Sequence, residues 1–313
     1  MARRLVVTAV LSLAFAGAGS AVAAPPNVGK VYHSVQVAPG TTITFTVTCP
    51  PGYAAVAGGM VAGKLLFTGA FGPLLAVTRV PPNAYRFTLG VPAGDPAQFL
   101  TVSVRCMRIG VPQAPNVKAV KLKIGTGVAG PIVIPAHSSK SVKVKCPTGE
   151  APTGGGYDEN QGATNPHIAG PGTYPRGIGL HPTASMPVPS GWNFTFANSG
   201  SQPGELRAEV DCVKRHYVGF EDHRPTVRDE VIFRQTTFND VVGHSETTVN
   251  ARCPVGDPLG SGFQFPAGAD LLAVTGARRS PAGFTFDVLN GEPTTVHFTE
   301  YELCDRHMYA YRR

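Results

Sequence analysis

The stretch Lys145-Cys146-Pro147-Thr148-Gly149-Glu150-Ala151-Pro152-Thr153-Gly154-Gly155-Gly156 decides the fold, because its frame occurs three times. The pattern Cys-Pro-x-Gly-x5-Gly is met at Cys49-Pro50-Pro51-Gly52 with Gly58, at Cys146-Pro147-Thr148-Gly149 with Gly155, and at Cys253-Pro254-Val255-Gly256 with Gly262. Downstream of each, an aromatic-x-Phe opens a segment that a second cysteine closes. These are Tyr85-Arg86-Phe87 to Cys106, Trp192-Asn193-Phe194 to Cys212, and Phe284-Thr285-Phe286 to Cys304, over 21, 20 and 20 residues. Three sets that agree in order and spacing identify an internal repeat.

Alternation around the cysteines predicts strands. Ile43, Phe45, Val47 and Cys49 share one parity with threonines between them; Val142, Val144 and Cys146 do the same between lysines, as do Val249, Ala251 and Cys253. A period of two is the mark of a half-buried strand. Turn signals precede each strand at Pro39-Gly40, Pro135-Ala136 and Val242-Gly243. The closing strands alternate through Val102, Val104 and Cys106, and through Leu206, Ala208, Val210 and Cys212. The third departs: Glu300 and Glu302 share parity with Cys304, which predicts a bulge or a distorted terminal copy.

Both cysteines of a repeat thus lie on core faces. Repeat symmetry selects one pairing among the 15 that six cysteines allow: Cys49–Cys106, Cys146–Cys212 and Cys253–Cys304. Closing loops of this length is worth about 4 kcal/mol per bridge on the chain-entropy argument. No Cys-x-x-Cys is present and the cysteine faces are apolar, which argues against metal-binding or reactive thiols. The expected class is all-β: three tandem sandwich-like or small-barrel repeats, each closed by one disulfide. The immunoglobulin topology is not expected, because Trp192, the only tryptophan, stands too close to the second cysteine. The expected units are 24–112, 117–215 and 229–313, with 109–116 and 214–228 as linkers.

Composition agrees. Of 313 residues, 37 are Gly and 29 Pro, which favours turns and short strands over helices. Residues 1–23 read as an export signal: Arg3-Arg4, an apolar run from Leu5 to Ala16, and Ala21-Val22-Ala23 before the cut. That run is too short to span a bilayer, and no later one is long enough. The expected location is therefore extracellular, with no transmembrane span in the mature chain. Removing Arg3 and Arg4 lowers the formal charge from +7 to +5, a mild basic bias that suits anionic envelope polymers and falls short of a nucleic-acid signature.

The second repeat, with Cys146-Pro147-Thr148-Gly149, Gly154-Gly155-Gly156, Ser185-Met186-Pro187, Gly191-Trp192, Asn198 and Cys212, resembles a module in secreted proteins of high-GC Gram-positive bacteria. The third repeat keeps Ser280-Pro281, Gly283-Phe284 and Asn290; the first keeps Gly58-Gly59 and has Tyr85 for the Trp. The resemblance implies an exported, disulfide-closed β module and supplies no catalytic residues. The glycines read as positions of positive φ or of close strand approach.

Reaction motifs fail on context. Gly58–Lys64 has phosphate-loop spacing, but Leu65 stands where a Ser or Thr should bind Mg²⁺. Gly125-Thr126-Gly127-Val128-Ala129-Gly130 matches a dinucleotide fingerprint, but Pro131 and an Ile-Val-Ile run follow where a helix is needed, so a turn between strands is expected. No catalytic residue, cofactor or metal ligand is assigned. The strongest functional candidate is a length difference: from motif glycine to strand-opening aromatic the repeats span 27, 37 and 22 residues. The long middle segment, 157–190, carries Asp158, Glu159, His167, Tyr174, Arg176 and His181 among Gly and Pro. Long loops on a rigid scaffold often carry function. The expected function is non-enzymatic: binding, or a structural role, toward a cell-envelope polymer or protein. The alternative is a secreted hydrolase with its site at this loop.

Overall fold

The computed structural model describes residues 28–62, 74–91, 96–108, 117–158, 180–220, 227–255, 257–266, 272–280 and 283–309. The segment 1–23, read from the sequence as an export signal, lies outside them, as does 109–116. Every regular element described is a β-strand. The first unit contains β1 (Val28–Val37), β2 (Thr41–Thr48), β3 (Tyr53–Ala62), β4 (Leu74–Val80), β5 (Ala84–Val91) and β6 (Gln98–Arg108). The second contains β7 (Val117–Ile134), β8 (Ser138–Lys145), β9 (Ala151–Asp158), β10 (Leu180–Val188), β11 (Gly191–Asn198) and β12 (Gly204–Phe220). The third contains β13 (Val227–Val241), β14 (Ser245–Arg252), β15 (Asp257–Gln264), β16 (Leu272–Ser280), β17 (Gly283–Asn290) and β18 (Val296–Tyr309).

One pairing order recurs. Three-stranded ladders β1-β6-β3, β7-β12-β9 and β13-β18-β15 face β2-β5-β4, β8-β11-β10 and β14-β17-β16. The disulfides Cys49–Cys106, Cys146–Cys212 and Cys253–Cys304 each tie the end of the first strand in one ladder to the central strand of the other. No cysteine is free. Such bridges belong to an oxidising compartment, and no helix among the described residues is long and apolar enough to cross a membrane.

Local chemistry also recurs. At each turn before the cysteine strand a residue takes positive φ: Gly40 at 67°, His137 at 52°, His244 at 50°. The next hydroxyl closes the turn, with Thr41, Ser138 and Ser245 donating to the carbonyls of Ala38, Pro135 and Val242 at 2.7, 2.8 and 2.7 Å. Buried Asn198 donates to the carbonyls of Ile134 and Gln202, and Asn290 makes the same pair of bonds to Val241 and Thr294. Val91 takes this place in the first unit and makes neither bond.

The units are joined edge to edge. β4 pairs with β9 through Ala76↔Asp158 and Val77↔Tyr157, and β10 with β15 through Ala184↔Gln264 and Ser185↔Phe263. Two continuous six-stranded sheets result, β2-β5-β4-β9-β12-β7 and β8-β11-β10-β15-β18-β13. β16 packs against β3, which closes the three units into a ring. β3, β9 and β15 meet at its centre. There Thr153 Oγ1 donates to the Val56 carbonyl at 2.8 Å, and a Cβ on Gly154 would sit 2.9 Å from the Ala57 methyl. Gly155 lies directly beneath the Trp192 indole. The glycines of this motif therefore serve close approach, and none of Gly154, Gly155 and Gly156 takes positive φ.

Four expectations change. The segment 214–228, expected as a linker, is strand through Phe220 and again from Val227, while 221–226 lie outside the described residues. Gly125–Gly130 lies within β7 and is not a turn; Gly127 packs on the Lys145 carbonyl. β18 has no bulge at Glu300 and Glu302: it pairs residue for residue with β13 from Val296↔Val241 to Arg306↔Val231. Register shifts fall instead on the glycine strands, at Ala55/Ala57, opposite Asp211/Cys212, and at Pro258/Gly260. One residue is missing after Cys253, so Ser261 opposite Glu302, and not Gly262, matches Gly58 opposite Val104 and Gly155 opposite Val210.

Gly155→Val would drive a branched side chain into the Trp192 ring. The expected loss is about 3 kcal/mol, read as a lower denaturant midpoint at unchanged slope.

Candidate functional site

The ring has one end from which its long connections leave. Because Ala76 pairs with Asp158 and Ala184 with Gln264, the start of β4 lies beside the end of β9, and the start of β10 beside the end of β15. The β3–β4, β9–β10 and β15–β16 connections therefore all emerge at this end. The middle one is the longest and narrower than the sequence suggests: Tyr157 and Asp158 end β9, Leu180–Val188 form β10, and 159–179 join them. Of the six candidate residues, Asp158 and His181 are described. Both are strand residues at the foot of this connection, only 6% and 5% exposed. Glu159, His167, Tyr174 and Arg176 lie outside the described residues.

Away from this end, where the last residues of β4 lie over the middle of β12, the joint between the first two units holds a buried polar cluster that no sequence pattern announced. Arg79 on β4 reaches over β12, with Nε 3.7 Å from Asp211 Oδ1, and donates to the Ala55 carbonyl at 3.1 Å and to Thr126 Oγ1 at 3.3 Å. Its backbone N–H donates to the Glu209 carboxylate. Tyr85 donates its hydroxyl to Asp211 Oδ2 and Thr126 donates to Oδ1 at 3.4 Å. Burial pushes Asp211 well above the ordinary aspartate range, opposed by the Arg79 charge. Burial pushes Arg79 down, opposed by Asp211 and then Glu209. The guanidinium keeps its proton, so the cluster acts as a polar clamp between units.

The third unit holds a second anomaly. Glu300 and Glu302 occupy the core positions that Val102 and Val104 fill in the first unit and Ala208 and Val210 in the second, and both are fully buried. Glu302 Oε1 accepts from the Phe284 backbone N–H, while Oε2 has no hydrogen-bond partner. Arg105 of the first unit stacks 3.9 Å from the Phe284 ring centre and donates to the Pro258 carbonyl at 2.9 Å, which makes it part of the ring closure. Burial, then the neighbouring Glu302 charge, pushes Glu300 up to about 9, against the Ala251 backbone N–H. Burial pushes Glu302 up to about 7, against the Phe284 N–H and Arg105. The pair also divides the core. One apolar cluster runs through the first two units and takes in Leu259 and Leu303, while Phe284, Phe286, Val288 and Phe298 form a separate one.

The sulfurs of Cys253 and Cys304 and a Glu302 oxygen lie within 4.8 Å of one another, a ligand-like grouping. The two sulfurs are bonded to each other, so no thiolate is offered to a cation. No protein-family profile matches the chain, and no curated protein matches it.

Both glutamates bind protons more tightly folded than unfolded. Their contribution to stability is complete below the unfolded value of about 4.5 and is lost as pH rises through about 7 and then about 9. Thermal melting should show stability falling by several kcal/mol between pH 5 and pH 9. Glu300→Val with Glu302→Val, which restores the first unit's residues, should remove this pair's share of that fall and leave the share of Asp211 and Glu209, which burial also pushes up.

Proposed function

We propose that this chain is an exported, non-enzymatic binding protein of the cell envelope, whose contact region is the ring end bearing the three connections. The observation that carries the reading is their convergence. A framework with bridged units and shared sheets holds three chain segments of unequal length at one end, and the longest brings Glu159, His167, Tyr174 and Arg176 between β9 and β10. Rigid scaffolds with variable connections at one end are a common way to build a binding surface. The export signal and the three disulfides support action outside the cytoplasm. Polar groups that sequence alone offered for hydrolysis sit deeper: His181 and Asp158 are buried strand residues.

The test is retention of the mature, disulfide-intact chain on immobilised envelope glycans and envelope proteins. Replacing 159–179 by a Gly-Ser linker of equal length should abolish retention, and the melting temperature should stay within a few degrees. Retention that survives the replacement would contradict the assignment to this end. A turnover lost with the same replacement would point to hydrolysis instead.

A further inference from the structure

β7 and β12 outrun the sandwich they belong to. β9 accompanies β12 only to Ala151↔Val213, whereas β7 continues beside it to Val117↔Phe220. Residues 117–123 and 214–220 therefore form a ribbon that has two strands, and no third, among the described residues. Its strands read Val-Lys-Ala-Val-Lys-Leu-Lys and Lys-Arg-His-Tyr-Val-Gly-Phe. They contain Lys118, Lys121, Lys123, Lys214 and Arg215 and no acid, in a chain whose whole formal excess is +7. The register sets Lys123 opposite Lys214 and Lys121 opposite His216. Like charges at directly opposed positions weaken a sheet, and a two-stranded ribbon alone in water is at best marginal.

The fold does not require this composition. In the first unit β3 accompanies β6 to its end, at Tyr53↔Arg108, so no ribbon projects there among the described residues. In the third unit β13 and β18 continue to Val227↔Tyr309, beyond the last β15 pair at Asp257↔Asp305, but there Asp229 and Glu230 offset Arg228 and Arg306.

We propose that the β7–β12 ribbon docks on an anionic lipid surface. Headgroup phosphates answer the opposed cations, and the interleaved Val117, Val120, Leu122, Tyr217, Val218 and Phe220 suit the boundary between headgroups and acyl chains. Those apolar and aromatic positions favour a bilayer over a soluble polyanion, which has nothing for them to enter. Glu221 and Asp222 follow the ribbon in sequence and lie outside the described residues. This surface is separate from the ring end of the proposed function, so either can fail without the other.

The experiment is co-sedimentation of the mature, disulfide-intact chain with vesicles of phosphatidylglycerol and phosphatidylcholine, and with phosphatidylcholine alone. Binding is expected only to the anionic vesicles, and it should weaken steeply between 50 mM and 500 mM salt. A cation near such a surface contributes about fivefold in affinity. The variant Lys121→Ser, Lys123→Ser, Lys214→Ser, Arg215→Ser should therefore bind at least a hundredfold more weakly, with its disulfides and melting temperature checked alongside. Lys140→Ser, Lys143→Ser, Lys145→Ser, which removes exposed cations from β8, should bind as the parent does. Equal binding to neutral vesicles, equal loss in the β8 variant, or capture by a soluble polyphosphate with no vesicle binding would each overturn the proposal.

Discussion

The close meeting of β3, β9 and β15 is the constraint on which the rest of the structure depends. Three strands can come together at the centre of the ring only if their facing residues are small. The chain supplies Ala54, Ala55 and Ala57 on β3, a glycine triplet on β9, and Gly260, Ser261 and Gly262 on β15. Once the strands are that close, a threonine hydroxyl on β9 reaches a β3 carbonyl and a neighbour's strand can join each sheet edge. The aromatic of each unit's fifth strand then covers the small residues, as Trp192 covers Gly155 and Tyr85 covers Gly58. Edge strands that would otherwise invite aggregation are used up in joining units.

The joints differ in chemistry where they agree in geometry. Tyr85 meets Asp211 at the first joint, and Phe284 meets Arg105 at the closing one. A buried ion pair such as Arg79–Asp211 is weak evidence for stability, since desolvating both charges offsets their attraction. Its value lies in selection: a unit presenting an apolar face to β4 would leave Arg79 buried and unpaired. The third unit is built against a different constraint, with two buried carboxyls interrupting its core beside its own disulfide.

Much of this architecture was legible in the sequence. The Cys-Pro-x-Gly frame gave the disulfide pairing, and the alternation before each cysteine gave the strands at Thr41, Ser138 and Ser245. What escaped was anything set between repeats. Arg79 and Asp211 are 132 positions apart and in register with nothing that marks them as partners. The broken parity at Glu300 and Glu302 was visible, but a bulge was the cheaper local explanation, because a sequence does not show that both faces of β18 are covered. The charged stretch after Cys212 looked like a linker for a similar reason: polar residues mark a loop unless a partner strand, here 117–123, continues alongside. Of the loop candidates, Asp158 and His181 are strand residues: Asp158 is buried in the inter-unit ladder opposite Ala76, and His181 lies opposite Ala197 within its own unit.

The edge-to-edge joining of units is tested most directly by amide hydrogen exchange on the disulfide-intact chain. The amides of Tyr157 and Asp158 against Ala76 and Val77, and of Phe263 and Gln264 against Ala184 and Ser185, should be protected to the level of the strands inside each sandwich. Exchange at these amides as fast as at the free edges of β2 and β8 would mean that the units stand apart, and the ring would be refuted.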